Sequence, residues 1–138
     1  MAATAHARWN GDLDSGSGSM ETGTGLQADF TKGTRFGDER GSNPEEFIAA
    51  AHAGCFSMAL SNILAGEGIT SRSVETDAKV SMSMDGGPHI SRIALSTTID
   101  ADADEATLRE HAEAAKKGCP VSKALAAVDE ITLDVTVA

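Results

Sequence analysis

From Phe47 to Gly66 the chain runs for twenty residues without a formal charge. No other stretch constrains the fold so strongly, because an uncharged segment of that length must either cross a membrane or be covered by protein. Its content favours cover by protein. His52, Ser57, Ser61, Asn62 and two glycines interrupt it, and alanine is commoner in it than leucine. It therefore reads as a buried central helix. Asn43 suits the N-cap, Pro44 the first helical position and Glu46 the third, while Gly66 and Gly68 end the helix. Apolar or small residues recur at Ile48, Ala51, Cys55, Met58/Ala59 and Asn62/Ile63 at helical spacing. One sheet covers only one side of such a helix, so a homodimer interface is expected to supply the second cover.

The flanking segments supply strands and shorter helices. Asn10-Gly11 signals a tight hairpin turn and Thr22 to Gly25 a second turn, followed by alternation from Leu26 to Phe30. The Gly/Ser-rich stretch between them reads as a weak edge hairpin rather than a linker, since strand signals lie on both sides. Residues 31–42 read as an exposed polar loop. Alternating runs from Val74 to Met84 and Ile90 to Ile99, joined by Asp85-Gly86-Gly87-Pro88, predict a hairpin. A helix over about 104–117 opens with acids and closes with Lys116 and Lys117, complementing its dipole. Pro120 starts a shorter helix to about Ala127, and Ile131 to Val137 alternates as a last strand. The order βββ-α-ββ-α-α-β indicates an α+β fold with largely antiparallel sheets around a long central helix.

A chain of 138 residues, 41% of them hydrophobic, suits one domain over 1–138. Its net charge of −10 argues against nucleic-acid partners and against anionic membrane surfaces. Residues Met1 to Trp9 contain no apolar core of signal-peptide length, so a cytoplasmic location is expected. Two cysteines are too few for a disulfide scaffold or a four-ligand zinc site.

Those cysteines are the sharpest chemical feature. Cys55 falls in the middle of the central helix, where a lone thiol is most often structural. Cys119, between Gly118 and Pro120, sits where one helix stops and another starts, and the positive end of the helix dipole lowers a thiol pKa there. A redox pair requires their Cα atoms within about 7 Å. His52, three residues before Cys55, could pair with it as a base or metal ligand but reads better as a packed, hydrogen-bonded histidine. Glu46 falls about 180° around the helix from Cys55, and capping explains it. Glu45 lies about 80° round yet about 15 Å along the axis, beyond the reach of one side chain. Arg35 alone reads as a surface arginine. No phosphate-cradling glycine motif or serine-hydrolase elbow is present.

Taken together, the motifs resemble a known family. Trp9 to Asp12, Thr34-Arg35-Phe36, Gly41 to Glu46, Ala50 to Leu60, Gly118 to Ser122 and Glu130 to Val135 look like the OsmC proteins. These are the osmotically inducible branch of the OsmC/Ohr hydroperoxide-reductase family, and the resemblance covers essentially the whole chain. It implies an intertwined homodimer with two active sites at the subunit interface. The implied activity is that of a cysteine-based peroxidase reducing organic hydroperoxides, and less readily hydrogen peroxide, to alcohols in oxidative and osmotic stress.

Residue by residue, Cys55 matches the peroxidatic cysteine and Cys119 the resolving one. Arg35 matches the arginine that activates the thiolate, and Glu45 the carboxylate that holds it. The implied reductant is a dithiol, a lipoyl group carried on protein; no other cofactor and no metal is implied. If Glu45 and Cys55 share a site, the axial distance means that the glutamate comes from the other subunit or that the segment before residue 47 folds back. Two readings of other classes compete: a thiol–disulfide oxidoreductase acting on proteins, and a dimer that binds a hydrophobic ligand with incidental thiols.

Overall fold

Three short strands open the chain as an antiparallel meander: β1 (Ala5–Asn10), β2 (Ser17–Thr22) and β3 (Gln27–Phe30). The computed structural model describes all residues, 1–138. Gly11 takes the positive φ its turn signal predicts, 86°. The connection is nevertheless longer than a two-residue turn, because Asn10 pairs with Ser17. Asp12 organises the loop, its carboxylate accepting from the N–H groups of Asp14 and Ser15. An Asx arrangement of this kind competes with the tight turn.

The Gly/Ser-rich stretch, expected at an edge, is instead the middle strand. Trp9 and Phe30 lie opposite Gly18 on its two sides, and their rings approach to 5.6 Å between centroids. A Cβ on Gly18 would lie 2.5 Å from the Phe30 ring, so only glycine lets the two aromatics close over the strand. The expected loop over 31–42 contains a short helix, α1 (Lys32–Phe36). Thr31 and Thr34 nucleate it by bonding reciprocally to each other's backbone N–H.

The chain divides into two compact units, residues 1–47 and 48–138. Helix α2 (Pro44–Gly66) starts in the first, where the Asn43 side chain accepts from the Glu46 N–H at 2.9 Å. It ends where Gly68 adopts φ 70° and Ile69 donates to the Leu64 carbonyl.

In the second unit, β4 (Ser71–Ser83), β5 (His89–Ala101) and β6 (Glu130–Val137) form a sheet in the order β4-β5-β6. β4 and β5 form the expected hairpin, with Gly86 and Gly87 both at positive φ between them. β6 runs parallel to β5, which departs from the antiparallel expectation. The cause is the crossover formed by α3 (Glu105–Gly118) and α4 (Pro120–Ala124), which returns the chain to the starting end of the sheet. Alternate residues of β5, Ile93, Leu95, Thr97, Ile99 and Ala101, are buried. With Leu108, Ala112 and Ala115 of α3 and Phe56, Leu60 and Leu64 of α2 they form the core.

The buried face of α2 overlaps the expected stripe only in part: Ile48, Cys55, Ala59 and Ile63 pack half-buried against the core, but they flank its centre. His52, Phe56, Leu60 and Leu64 are fully buried at a spacing of four, Cys55 is half-buried, and Ala51, Met58 and Asn62 are exposed. A helix apolar on every side gives no phase to its own periodicity, so a stripe one position out looks equally good. By length and composition α2 could cross a membrane, and only 22% of its most apolar window is buried within the chain.

Candidate active site

The first unit assembles an ion pair. Arg35 lies near the end of α1 and Glu45 in the first turn of α2. The guanidinium Nε donates to the two carboxylate oxygens at 3.1 and 3.2 Å, and Nη2 donates to Oε1 at 2.7 Å. Glu45 is buried, and its carboxylate fixes the planar fork of the arginine in one orientation. The guanidinium also lies over the Phe36 ring, 5.0 Å from its centroid.

The second unit brings together Cys55 of α2 and Cys119 at the α3–α4 junction. Both are free thiols; each shifts the other's pKa, and Cys55 shares one cleft with Gly118 and Pro120, the neighbours of Cys119. Cys119 terminates α3, donating its N–H to the Ala115 carbonyl at 2.8 Å, and Pro120 begins α4.

The two thiols are electrostatically unlike. Burial pushes Cys55 up, one N–H from Val121 opposes it, and the neighbouring Cys119 raises it further; the result lies above the usual thiol value. Burial also acts on Cys119, but the Ser122 N–H, the Cys55 thiol, the Ser122 hydroxyl and the Val121 N–H outweigh it, holding Cys119 below that value. A mostly apolar cleft of about 480 Å³ opens beside Cys55, lined by Met58, Ala59, Ile63, Ala115 and Pro120 among others.

His52 lies one turn before Cys55, fully buried, with Nε2 2.7 Å from the Ser122 hydroxyl. Burial holds its imidazole below the usual pKa. Ser122 is not among the sequence-predicted site residues, and seventy positions separate it from His52, so no local spacing points to the contact. No three His, Cys, Asp or Glu side chains gather where a metal ion could be held.

A half-buried thiol over an apolar cleft, with a second, buried thiol near enough to shift its pKa, defines an α+β dithiol protein. Comparisons with known proteins narrow that class. The family model described as OsmC-like protein matches residues 37–134. Peroxiredoxin OsmC of Escherichia coli is 46% identical over 132 residues, covering 93% of this chain and 91% of that protein. Organic hydroperoxide resistance protein-like 1 of Staphylococcus saprophyticus is 33% identical over 72% of each chain. The crystal structure of an organic hydroperoxide resistance protein OsmC from Legionella pneumophila superposes with a TM-score of 0.78, at 25% identity and 96% coverage of both chains. The chain belongs to the OsmC-like family.

Proposed function

We propose that this protein is a cysteine-based peroxidase that reduces organic hydroperoxides, and less readily hydrogen peroxide, to alcohols. The observation that carries the reading is the pair of neighbouring thiols beside an apolar cleft, in a chain whose relatives are named for peroxiredoxin activity and organic hydroperoxide resistance.

In the proposed cycle the Cys55 thiolate attacks the distal oxygen of the peroxide. The S–O bond forms, the O–O bond breaks, and the alkoxide takes a proton and leaves as alcohol, with Cys55 now a sulfenic acid. Cys119 then attacks the Cys55 sulfur; the S–S bond forms, the S–O bond breaks, and hydroxide leaves as water. A dithiol reductant, in this reading a lipoyl-carrying protein, reopens the disulfide by exchange. The apolar cleft suits a peroxide with a hydrocarbon body.

Because burial holds the Cys55 thiol protonated, attack needs a cation. Arg35, held by Glu45, is the candidate, with Glu45 as positioning residue. Ten residues of helix separate Glu45 from Cys55, about 15 Å of rise. In this reading a homodimer therefore delivers the guanidinium of one subunit to the thiol of the other, and the enzyme works in the cytoplasm.

Titration of the reduced protein with cumene hydroperoxide tests the cycle. One equivalent per chain should consume both thiols and yield a Cys55–Cys119 disulfide detectable by mass. Retention of both thiols under excess peroxide would overturn the enzyme reading in favour of a hydrophobic-ligand-binding protein.

A further inference from the structure

A chain of net charge −10 has one stretch where the sign reverses. From Ala114 to Val128 fifteen residues contain no Asp or Glu, yet they hold three of the five lysines, Lys116, Lys117 and Lys123. The three lysines line a groove of about 350 Å³ floored by Val128 and Ile131. Lys116 bonds Glu113 at 3.1 Å. The acids that close the stretch are held by other cations, Asp129 by His89 and Glu130 by Arg92, each at 3.1 Å. Lys117 and Lys123 are exposed and have no carboxylate partner.

The segment that carries these lysines is also the one that holds Cys119. Lys117 precedes the cysteine by two residues, at most about 7.6 Å between Cα atoms. One helical turn beyond it, the Lys123 N–H donates to the Cys119 carbonyl at 3.0 Å. Between the lysines, Gly118 and Pro120 line the cleft beside Cys55. A single short segment thus separates the lysine groove from the cleft of the reacting sulfur.

We propose that the lysine groove is a docking surface for an acidic face of the protein that carries the reducing dithiol, holding that dithiol beside the Cys55 cleft. This deepens the peroxidase reading and rests on its Cys55–Cys119 disulfide. Cys119 is fully buried whereas Cys55 is half-buried and lines the cleft, so an incoming thiolate meets Cys55 first. The new S–S bond forms at Cys55, the Cys55–Cys119 bond breaks, and Cys119 leaves as a thiolate that takes a proton. The second thiolate of the reductant then attacks its own sulfur in the mixed disulfide and releases Cys55. Two electrons pass from the dithiol, which ends as a disulfide, to the two cysteines.

Charge selects the partner. Most of the surface repels an acidic protein, so the positive groove orients it with the groove foremost. A cationic reductant would be drawn everywhere except to the groove. Lysines on flexible stems, with no arginine fork among them, steer an encounter rather than grip one small anion. Brief redox encounters of this kind use small interfaces.

Two synthetic peptides test the proposal, each bearing one dihydrolipoyl lysine, the first flanked by glutamates and the second by glutamines. The readout is the second-order rate at which each reduces the Cys55–Cys119 disulfide of the full-length protein. At low salt the acidic peptide should be about tenfold faster, an advantage that shrinks as sodium chloride is raised. Lys117→Gln with Lys123→Gln should reduce the ratio to about twofold or less, and Lys117→Glu with Lys123→Glu should invert it. Lys79→Gln, exposed on β4, should keep it. Equal rates for the two peptides, or lysine variants that slow both equally, would overturn the docking surface. Sodium phosphate that inhibits more than sodium chloride of the same ionic strength would assign the groove to a small anion and overturn it likewise. A disulfide that forms normally but shows no charge preference sinks this inference alone. Failure of the unmodified protein to form the disulfide with cumene hydroperoxide overturns the two-cysteine cycle and the inference with it.

Discussion

Gly18 shows how much a single missing side chain can decide. It sits buried near the start of β2, with Trp9 and Phe30 opposite it on the neighbouring strands. An added Cβ would meet ring carbons at 2.5 Å on the Phe30 side and 2.8 Å on the Trp9 side. Two effects compete in Gly18→Ala. Restricting the unfolded chain favours the alanine by about 0.4–1 kcal/mol, whereas overpacking a closed site costs about 1–3 kcal/mol. The rings belong to paired strands and cannot both withdraw, so overpacking wins. Gly18→Ala should lower the unfolding free energy by about 1–2 kcal/mol in urea titrations, and an unchanged or higher midpoint would mean that the aromatics move apart freely. The same residue explains a misreading. Glycine and serine in sequence resemble an edge or a linker, because the aromatics that cover Gly18 are supplied by strands 9 and 12 residues away.

At the scale of elements, the ends of helices were legible and the face of α2 only in part. Asn43 caps α2 and Asp104 caps α3 through side-chain bonds to backbone N–H groups, and local chemistry of that kind stands in the sequence within three residues. The cap on α2 can be weighed. Asn43→Ala removes the acceptor for the Glu46 N–H and the donor to the Thr34 carbonyl. It should therefore cost about 1 kcal/mol or slightly more, read as a lower thermal midpoint, while Asn43→Asp, which keeps the acceptor, should cost less. The buried face of α2 was only partly legible: the expected stripe held the half-buried Ile48, Cys55, Ala59 and Ile63, but alanines and other small residues surround the helix and only the tertiary partners select His52, Phe56, Leu60 and Leu64. The parallel placement of β6 likewise depends on where α3 and α4 return the chain, which alternation within the strand cannot reveal. For the candidate site, Cys119 at a helix junction was readable from Gly118 and Pro120. Pairing Arg35 with Glu45 came from family resemblance alone, and the contact between His52 and Ser122 had no sequence signal at all.

At the scale of the whole molecule, the unanswered demand is the outer side of α2. Met58 is 73% exposed, and Ala51, Ser61, Asn62 and Ala65 accompany it on a helix that carries no charge after Glu46. Small residues let a second backbone approach closely, and an exposed apolar helix face of this length is what a symmetric interface covers. Charge opposes the association, since each copy carries −10 and two copies bring those charges together. A dimer must therefore be held by apolar burial and should tighten as salt screens the repulsion. Ala51→Asp tests this away from the cleft residues. It places a carboxylate within the proposed contact, where desolvation without a partner costs several kcal/mol. In sedimentation the unmodified protein should run at about twice the 14.2 kDa chain mass, and Ala51→Asp should run at the chain mass with intact far-ultraviolet circular dichroism. If Arg35 reaches the thiol from the second subunit, hydroperoxide reduction should fall with the mass, and wild-type activity should drop on dilution below the dimer constant. A monomeric variant with full activity would instead place the activating guanidinium within the same chain, leaving the apolar side of α2 to some other partner.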